Sequence, residues 1–161
     1  MIEIREAKHT DFEGIWPIMR AVLEEGETYP HSGAISEEAA FQYWMTTPTA
    51  TYVAVEGDRV KGTYYVRPNQ PGRGAHVCNA GYMAAPEARN RGVGTAMGRD
   101  SLDRARALGF TAMQFNLVVA TNLPSIRIWE RLGFEKVGTL PQAFDHRRLG
   151  LVDAFIMYRL L

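Results

Sequence analysis

Apolar and polar residues alternate with period two at Ile2-Glu3-Ile4-Arg5, which predicts a strand at the start of the chain. The period then changes. Phe12, Ile15, Trp16, Met19 and Leu23 recur at helical spacing behind Thr10-Asp11-Phe12-Glu13, a capping-box sequence, so a helix is expected there. Pro17 lies inside it and should kink it. Glu24 to Gly33 reads as a polar loop that contains Thr28-Tyr29-Pro30-His31. Ser36-Glu37-Glu38 opens a second helix with its carboxylates at the positive end of the dipole, and Pro48 follows its end.

The middle of the chain returns to strands. Tyr52-Val53-Ala54-Val55 and Val60 to Val66 read as a pair around Glu56-Gly57-Asp58-Arg59. After a turn-rich break from Asn69 to Gly74, Ala75 to Met83 is another apolar strand, ended by Pro86. A helix follows Gly92, with Gly94, Gly98, Leu102, Ala105 and Leu108 on one stripe. Its small residues predict close packing against the sheet. Gly98 costs about 1 kcal/mol of helix propensity relative to Ala, so it needs a packing reason. Gly109 stops this helix, and Thr111 to Val119 is a strand. Asn122 caps a further helix that Gly133 ends. Phe134 to Val137 and Val152 to Leu160 complete the set. The order β-α-α-β-β-β-α-β-α-β-β mixes hairpins with crossovers, which predicts an α/β chain with a mixed sheet covered by helices.

Composition narrows the function classes. The 161 residues fit one domain over 1–161, with 46% hydrophobic and 22% charged residues and a formal net charge of zero. No basic excess points to nucleic acid or an anionic membrane surface. No apolar run approaches the roughly 18 residues of a membrane span, and the charged N-terminus is unlike a signal peptide. The single cysteine, Cys78, fits a reducing, cytoplasmic setting. No His/Cys/Asp cluster has metal-ligand spacing, so no metal is expected.

The most informative segment is Arg89-Asn90-Arg91-Gly92-Val93-Gly94-Thr95-Ala96. Free N–H groups at a helix start, little side-chain bulk and two arginines suit a pyrophosphate. A Walker A loop would end in Gly-Lys-Ser/Thr, and no lysine is present. A dinucleotide fingerprint would need a third glycine where Met97 stands. A glycine-rich turn that only packs a helix is the structural alternative. A second motif follows: Asn122-Leu123-Pro124-Ser125-Ile126-Arg127-Ile128-Trp129-Glu130-Arg131-Leu132-Gly133-Phe134.

The pair, in this order, resembles the GCN5-related N-acetyltransferase superfamily. Arg89-x-x-Gly92-x-Gly94 looks like its acetyl-CoA pyrophosphate loop, and Val152 to Tyr158 looks like its last strand. The resemblance implies about seven strands and four helices, with the fourth strand splayed from the fifth around the pantetheine arm. It implies acetyl-CoA as co-substrate. Backbone groups of Tyr82, Met83 and Ala84 would bond the pantetheine amides, and N–H groups from Asn90 to Thr95 the pyrophosphate. Asn122 and Ser125 would meet the cofactor arm.

The implied reaction is direct attack of a neutral amine on the acetyl thioester, with a base and oxyanion donors assisting. Many relatives place a tyrosine on the fourth helix to protonate the departing thiolate. Here that position is Trp129, an indole that is too weak an acid, so it is expected to pack. Asn79 and Asn116 stand in otherwise apolar strands, either as structural bridges or as groups acting on the acetyl carbonyl or substrate. Short segments around them, Cys78 to Gly81 and Phe115 to Val118, are similar to fungal acetyltransferases of azetidine-2-carboxylate and other proline analogues. That similarity implies a small amine, amino-acid-like acceptor with Asn79 and Asn116 as catalytic residues. Thr28, Tyr29 and Tyr64 are expected to line the acceptor pocket, although only one of Tyr64 and Tyr65 can face it. Glu24, Glu25 and Glu27 could attract a cationic amine. His76 shares a strand face with Cys78, opposite Asn79, which argues against it as the base. Cys78 is expected in the core. Acetylation of a protein N-terminus or lysine, and acyl-CoA sensing without turnover, are the rival functions. The last strand and Leu160-Leu161 could join a homodimer interface.

Overall fold

Seven strands form one mixed sheet in the order β1-β2-β3-β4-β5-β7-β6. The computed structural model describes all 161 residues. The strands are β1 (Glu3–Glu6), β2 (Ala50–Glu56), β3 (Arg59–Pro68), β4 (Val77–Ala84), β5 (Ala112–Val119), β6 (Glu135–His146) and β7 (Gly150–Leu160). The helices are α1 (Phe12–Glu25), α2 (Glu37–Phe41), α3 (Val93–Ala107) and α4 (Leu123–Arg131). Every neighbouring pair is antiparallel except β4 with β5. The predicted element order and mixed sheet are therefore observed.

The sheet has two differently covered faces. On one, Trp44 is fully buried and its indole N–H donates to Thr63 Oγ1 at 2.9 Å. Tyr65 lies on the same face, edge-on to Trp44. Burying a side chain of this size contributes about 1.5–3 kcal/mol. On the other face Tyr64 stacks between Tyr52 and Tyr82, and its hydroxyl donates to Asp100 of α3 at 2.6 Å. Phe115, Trp129 and Phe134 pack together there under α4.

Local detail departs from the sequence reading in four places. The capping box at Thr10 does not form. Instead the Asp11 carboxylate accepts the Lys8 N–H at 2.6 Å and two bonds from Arg5. The Arg5 guanidinium holds that carboxyl below its ordinary range. The helix α1 is continuous across Pro17 and ends at Gly26, φ +63°. The second helix is short and passes into a wider π-type turn over Gln42–Thr46. The final hairpin is longer than its apolar runs suggested, because β6 runs on to His146 with mostly exposed side chains, whereas β7 lies close to its expected span.

The small-residue stripe of α3 faces α4 rather than the sheet. A methyl group on Gly98 would stand 2.7 Å from Leu132 Cδ1 and 3.0 Å from Trp129 Cζ3, and one on Gly94 3.2 Å from Ile128 Cδ1. Close helix approach is the reason for these glycines. Gly98→Leu should therefore lose about 1–3 kcal/mol of stability in chemical denaturation. Gly98→Ala should lose less, because the Leu132 methyl can move and Ala regains about 1 kcal/mol of helix propensity. A Leu variant as stable as the parent would refute the packing role.

Candidate active site

The parallel pairing of β4 with β5 covers two residues only, Val77↔Ala112 and Cys78↔Met113. Beyond them the strands diverge. A bulge at Asn116 and Leu117, opposite Ile156, takes β5 out of register with β7 along this stretch. Asn79 spans the apex, its Nδ2 donating to the Gln114 carbonyl at 3.0 Å and its Oδ1 accepting from Tyr65 at 3.4 Å. No residue of β4 beyond Cys78 pairs with β5, so a slot opens along Tyr82, Met83 and Ala84.

The chain leaves β4 through Pro86 and reaches a cradle at the start of α3. Asn90 at φ +60° and Gly92 at φ +82° turn the backbone, the latter in a conformation that favours glycine. N–H groups of Asn90, Gly92, Val93, Gly94 and Thr95 find no backbone acceptor, and Ala96 is the first to close a helical bond, to Gly92. They form a ready anion site. Across the slot, Asn122 caps α4, its side chain accepting from Ser125 N–H at 3.4 Å. The arginines behave differently from each other. Arg89 makes a bidentate pair with Glu25, at 2.8 and 2.9 Å, whereas exposed Arg91 has only a loose contact with Glu56 at 3.9 Å.

The face of the slot opposite α3 and α4 is aromatic. Gly81 leaves room for the Tyr29 hydroxyl and the Tyr65 ring, which would lie 2.5 and 2.6 Å from a methyl group placed there. The Tyr29 hydroxyl also reaches the Tyr82 backbone, and burial holds its pKa far above the ordinary range. Tyr43 and Tyr65 share a hydroxyl hydrogen bond of 3.1 Å, and His31 stacks on Tyr43 at 4.3 Å. The buried His31 Nδ1 has no partner. Burial, then the Arg67 charge, lowers its pKa and keeps the imidazole neutral. A cavity of about 420 Å³ extends from Tyr29 and His31 to Ala143, Phe144, Asp145 and Arg147 of the last hairpin.

Several expected residues are placed elsewhere. Tyr64 points to the opposite face, bound to Asp100, so Tyr65 rather than Tyr64 faces Asn79. The three glutamates are occupied by arginines: Glu24 by Arg20, Glu25 by Arg89 and Glu27 by Arg148. They are not free to draw in an amine. Thr28 is half-buried in the loop after α1 and does not line the cavity. Asn116 is exposed at the β5 bulge, donating to Asn69 at 2.7 Å and accepting from Gln114 at 2.9 Å. Trp129 packs 4.6 Å from Tyr82 and 4.7 Å from Phe115. Cys78 is buried and its thiol is pushed up to about 12 by burial, so it stays protonated and is no nucleophile. His76 is exposed and away from the slot. Sequence reasoning missed His31, Tyr43 and Arg67, and only the register that pairs Arg67 with Asn79 could have pointed to the last.

A splayed parallel pair that leads into a glycine cradle defines an acyl-CoA-dependent acyltransferase. The chain belongs to the Acetyltransferase (GNAT) family, whose model matches residues 13–134. It is similar to N-acetyltransferase aca1 of Schizosaccharomyces pombe, 34% identical over 151 residues covering 83% of this chain and 72% of that one. It is also similar to a GCN5-related N-acetyltransferase from Kribbella flavida, at 42% identity and TM-score 0.95, covering 99% of this chain and 98% of the other. A phosphinothricin acetyltransferase from Sinorhizobium meliloti, solved with acetyl-CoA, shares the fold at TM-score 0.87 and 24% identity, covering 99% and 88%. The chain is an acetyl-CoA-dependent N-acetyltransferase.

Gly81 tests the acceptor wall. Gly81→Ala should displace Tyr29 and Tyr65 and lower kcat/KM for the acceptor about 10- to 100-fold, a loss of about 1.4–2.7 kcal/mol of transition-state stabilisation. Steady-state kinetics on a folded variant measure it. An unchanged kcat/KM would show that these tyrosines do not shape the site.

Proposed function

We propose that this enzyme acetylates the amine of a small, amino-acid-like acceptor, bound on the Tyr29–Tyr65 face of the sheet. The observation that carries this reading is the chain's own last hairpin, whose turn is tied to the segment just before Tyr29. Arg147 N–H donates to the Gly26 carbonyl at 3.0 Å and its guanidinium to the Glu24 carbonyl at 2.6 Å, while Arg148 pairs with Glu27 at 2.6 Å. Three contacts, to the last turn of α1 and the loop after it, wall one end of the cavity and favour a small acceptor over a long peptide.

Acetyl-CoA supplies an activated thioester, and the residues present fit it. N–H groups from Asn90 to Thr95 would hold its pyrophosphate, with exposed Arg91 available to join them. The unpaired backbone of Tyr82, Met83 and Ala84 would bond its pantetheine arm, and Asn122 and Ser125 would flank it. Arg89 acts from a distance in this reading, fixing the end of α1 through Glu25 beside the cradle. Asn79 is a positioning residue that holds the slot open, and Asn116 orients the acceptor from the β5 bulge. The acceptor amine arrives as an ammonium and must lose a proton. Neutral His31 and the hydroxyls of Tyr43 and Tyr65 are the groups on that face able to pass it on. No tyrosine on α4 serves the departing thiolate, because Trp129 fills that place in the core.

Free-CoA release against a panel of amino acids, simple amines and peptides tests the reading. Small acceptors should be preferred about tenfold or more in kcat/KM, the scale on which pocket shape discriminates. Turnover of peptides alone would reject it.

A further inference from the structure

Arg67 is the one arginine of this chain that is neither exposed nor bound to an acceptor. Arg59, Arg73, Arg99, Arg127 and Arg131 also lack partners, but all are exposed on the surface. The rest pair with carboxylates or backbone carbonyls. Arg67 is half-buried on β3, with no carboxylate within ion-pair distance and no hydrogen bond from its guanidinium. Its guanidinium carbon lies 5.6 Å from the Tyr43 ring and 5.2 Å from the Tyr65 ring. Two aromatic rings hold the plane of the group while leaving its five donors unused.

The location gives those donors a task. Arg67 and Asn79 are directly paired across β3 and β4, so the cation stands one strand away from the apex of the slot. Tyr65 lies between the cation and that apex, with its ring over Gly81 and its hydroxyl on Asn79. The neighbouring groups on the same side are neutral amides, Asn69, Gln114 and Asn116, bonded to one another. No acidic side chain offsets the charge. A partly desolvated guanidinium without a counterion is costly unless a ligand supplies the anion.

We infer that Arg67 binds the carboxylate of the acceptor, which makes the acceptor a free amino or imino acid. A planar fork of donors matches a carboxylate in bidentate fashion. An α-carboxylate held there leaves the adjacent amine over Tyr65 and Asn79, facing the slot. A peptide N-terminus carries an amide at the same position and would leave the guanidinium without its anion. The inference rests on the small-acceptor reading above and narrows it.

The experiment compares amino acids with their methyl esters at saturating acetyl-CoA, for the parent, Arg67→Met and Arg67→Lys. Met keeps the apolar packing on the tyrosine rings, and Lys keeps the charge but not the fork. The parent should prefer the acid over its ester about 10- to 100-fold in kcat/KM, the usual value of a charge-assisted contact. In R67M that ratio should fall toward one, through KM more than kcat, with R67K between the two. Acetyl-CoA affinity, measured by calorimetry, should stay at the parent value. A parent that acetylates acids and esters equally, or an R67M variant that keeps the preference, overturns the inference while the small-acceptor reading stands. A parent that acetylates peptides but neither acids nor esters overturns both.

Discussion

The structure depends on one interrupted strand pairing. β4 and β5 run parallel for two residues and then part, and the Asn79 amide bonded to the Gln114 carbonyl marks where they do. Backbone groups in the middle of a sheet are normally paired, because leaving them dry and unbonded costs about 1–3 kcal/mol each. Here the sheet gives up that pairing along the β5 side of Tyr82 to Ala84. The gap is kept by packing on both faces. Tyr82, Phe115 and Trp129 fill it from the α3–α4 side, and Tyr29 and Tyr65 close over Gly81 from the other. The open slot is thus a built feature of the core and not a frayed edge.

In the proposed reading, each half of the reaction uses a different face of that gap. The cradle at Asn90 to Thr95 follows β4 directly, so the phosphate site and the slot are set by one continuous stretch of chain. The acceptor face is assembled from distant segments: the loop after α1, the turn after α2, β3 and the final hairpin. Ion pairs tie these together. Arg89 with Glu25 joins the cradle to the end of α1, and Arg148 with Glu27 joins the hairpin to the acceptor loop. Exposed pairs of this sort contribute little to global stability, so their importance is positional.

The contrast explains what the sequence could reveal. Local signals carried the cofactor half: glycines at 92 and 94, the Asn122 cap, the stops at Gly109 and Gly133. All of these act within a few residues, and the structure shows each in place. The acceptor half depends on register. Whether Tyr64 or Tyr65 faces Asn79 is a question of strand parity across β3 and β4, and alternation alone cannot choose. Glu25 and Glu27 looked available because their arginine partners, Arg89 and Arg148, lie far along the chain. The extension of β6 from Val137 to His146 escaped notice because its mostly exposed residues carry no apolar alternation, and its order comes from backbone pairing with β7.

The claim on which all this rests is that the slot beside Tyr82–Ala84 and the cradle at Gly92–Thr95 form one ligand site. Backbone amide NMR during a titration with CoA tests it most directly. The amides of Tyr82, Met83 and Ala84 and those from Gly92 to Thr95 should shift together along one binding curve, and those of His31 and Arg67 should move little until an acceptor is added. Shifts centred on the separate polar depression between Thr10–Gly14 and Asp58–Lys61, with the slot amides unmoved, would contradict the account.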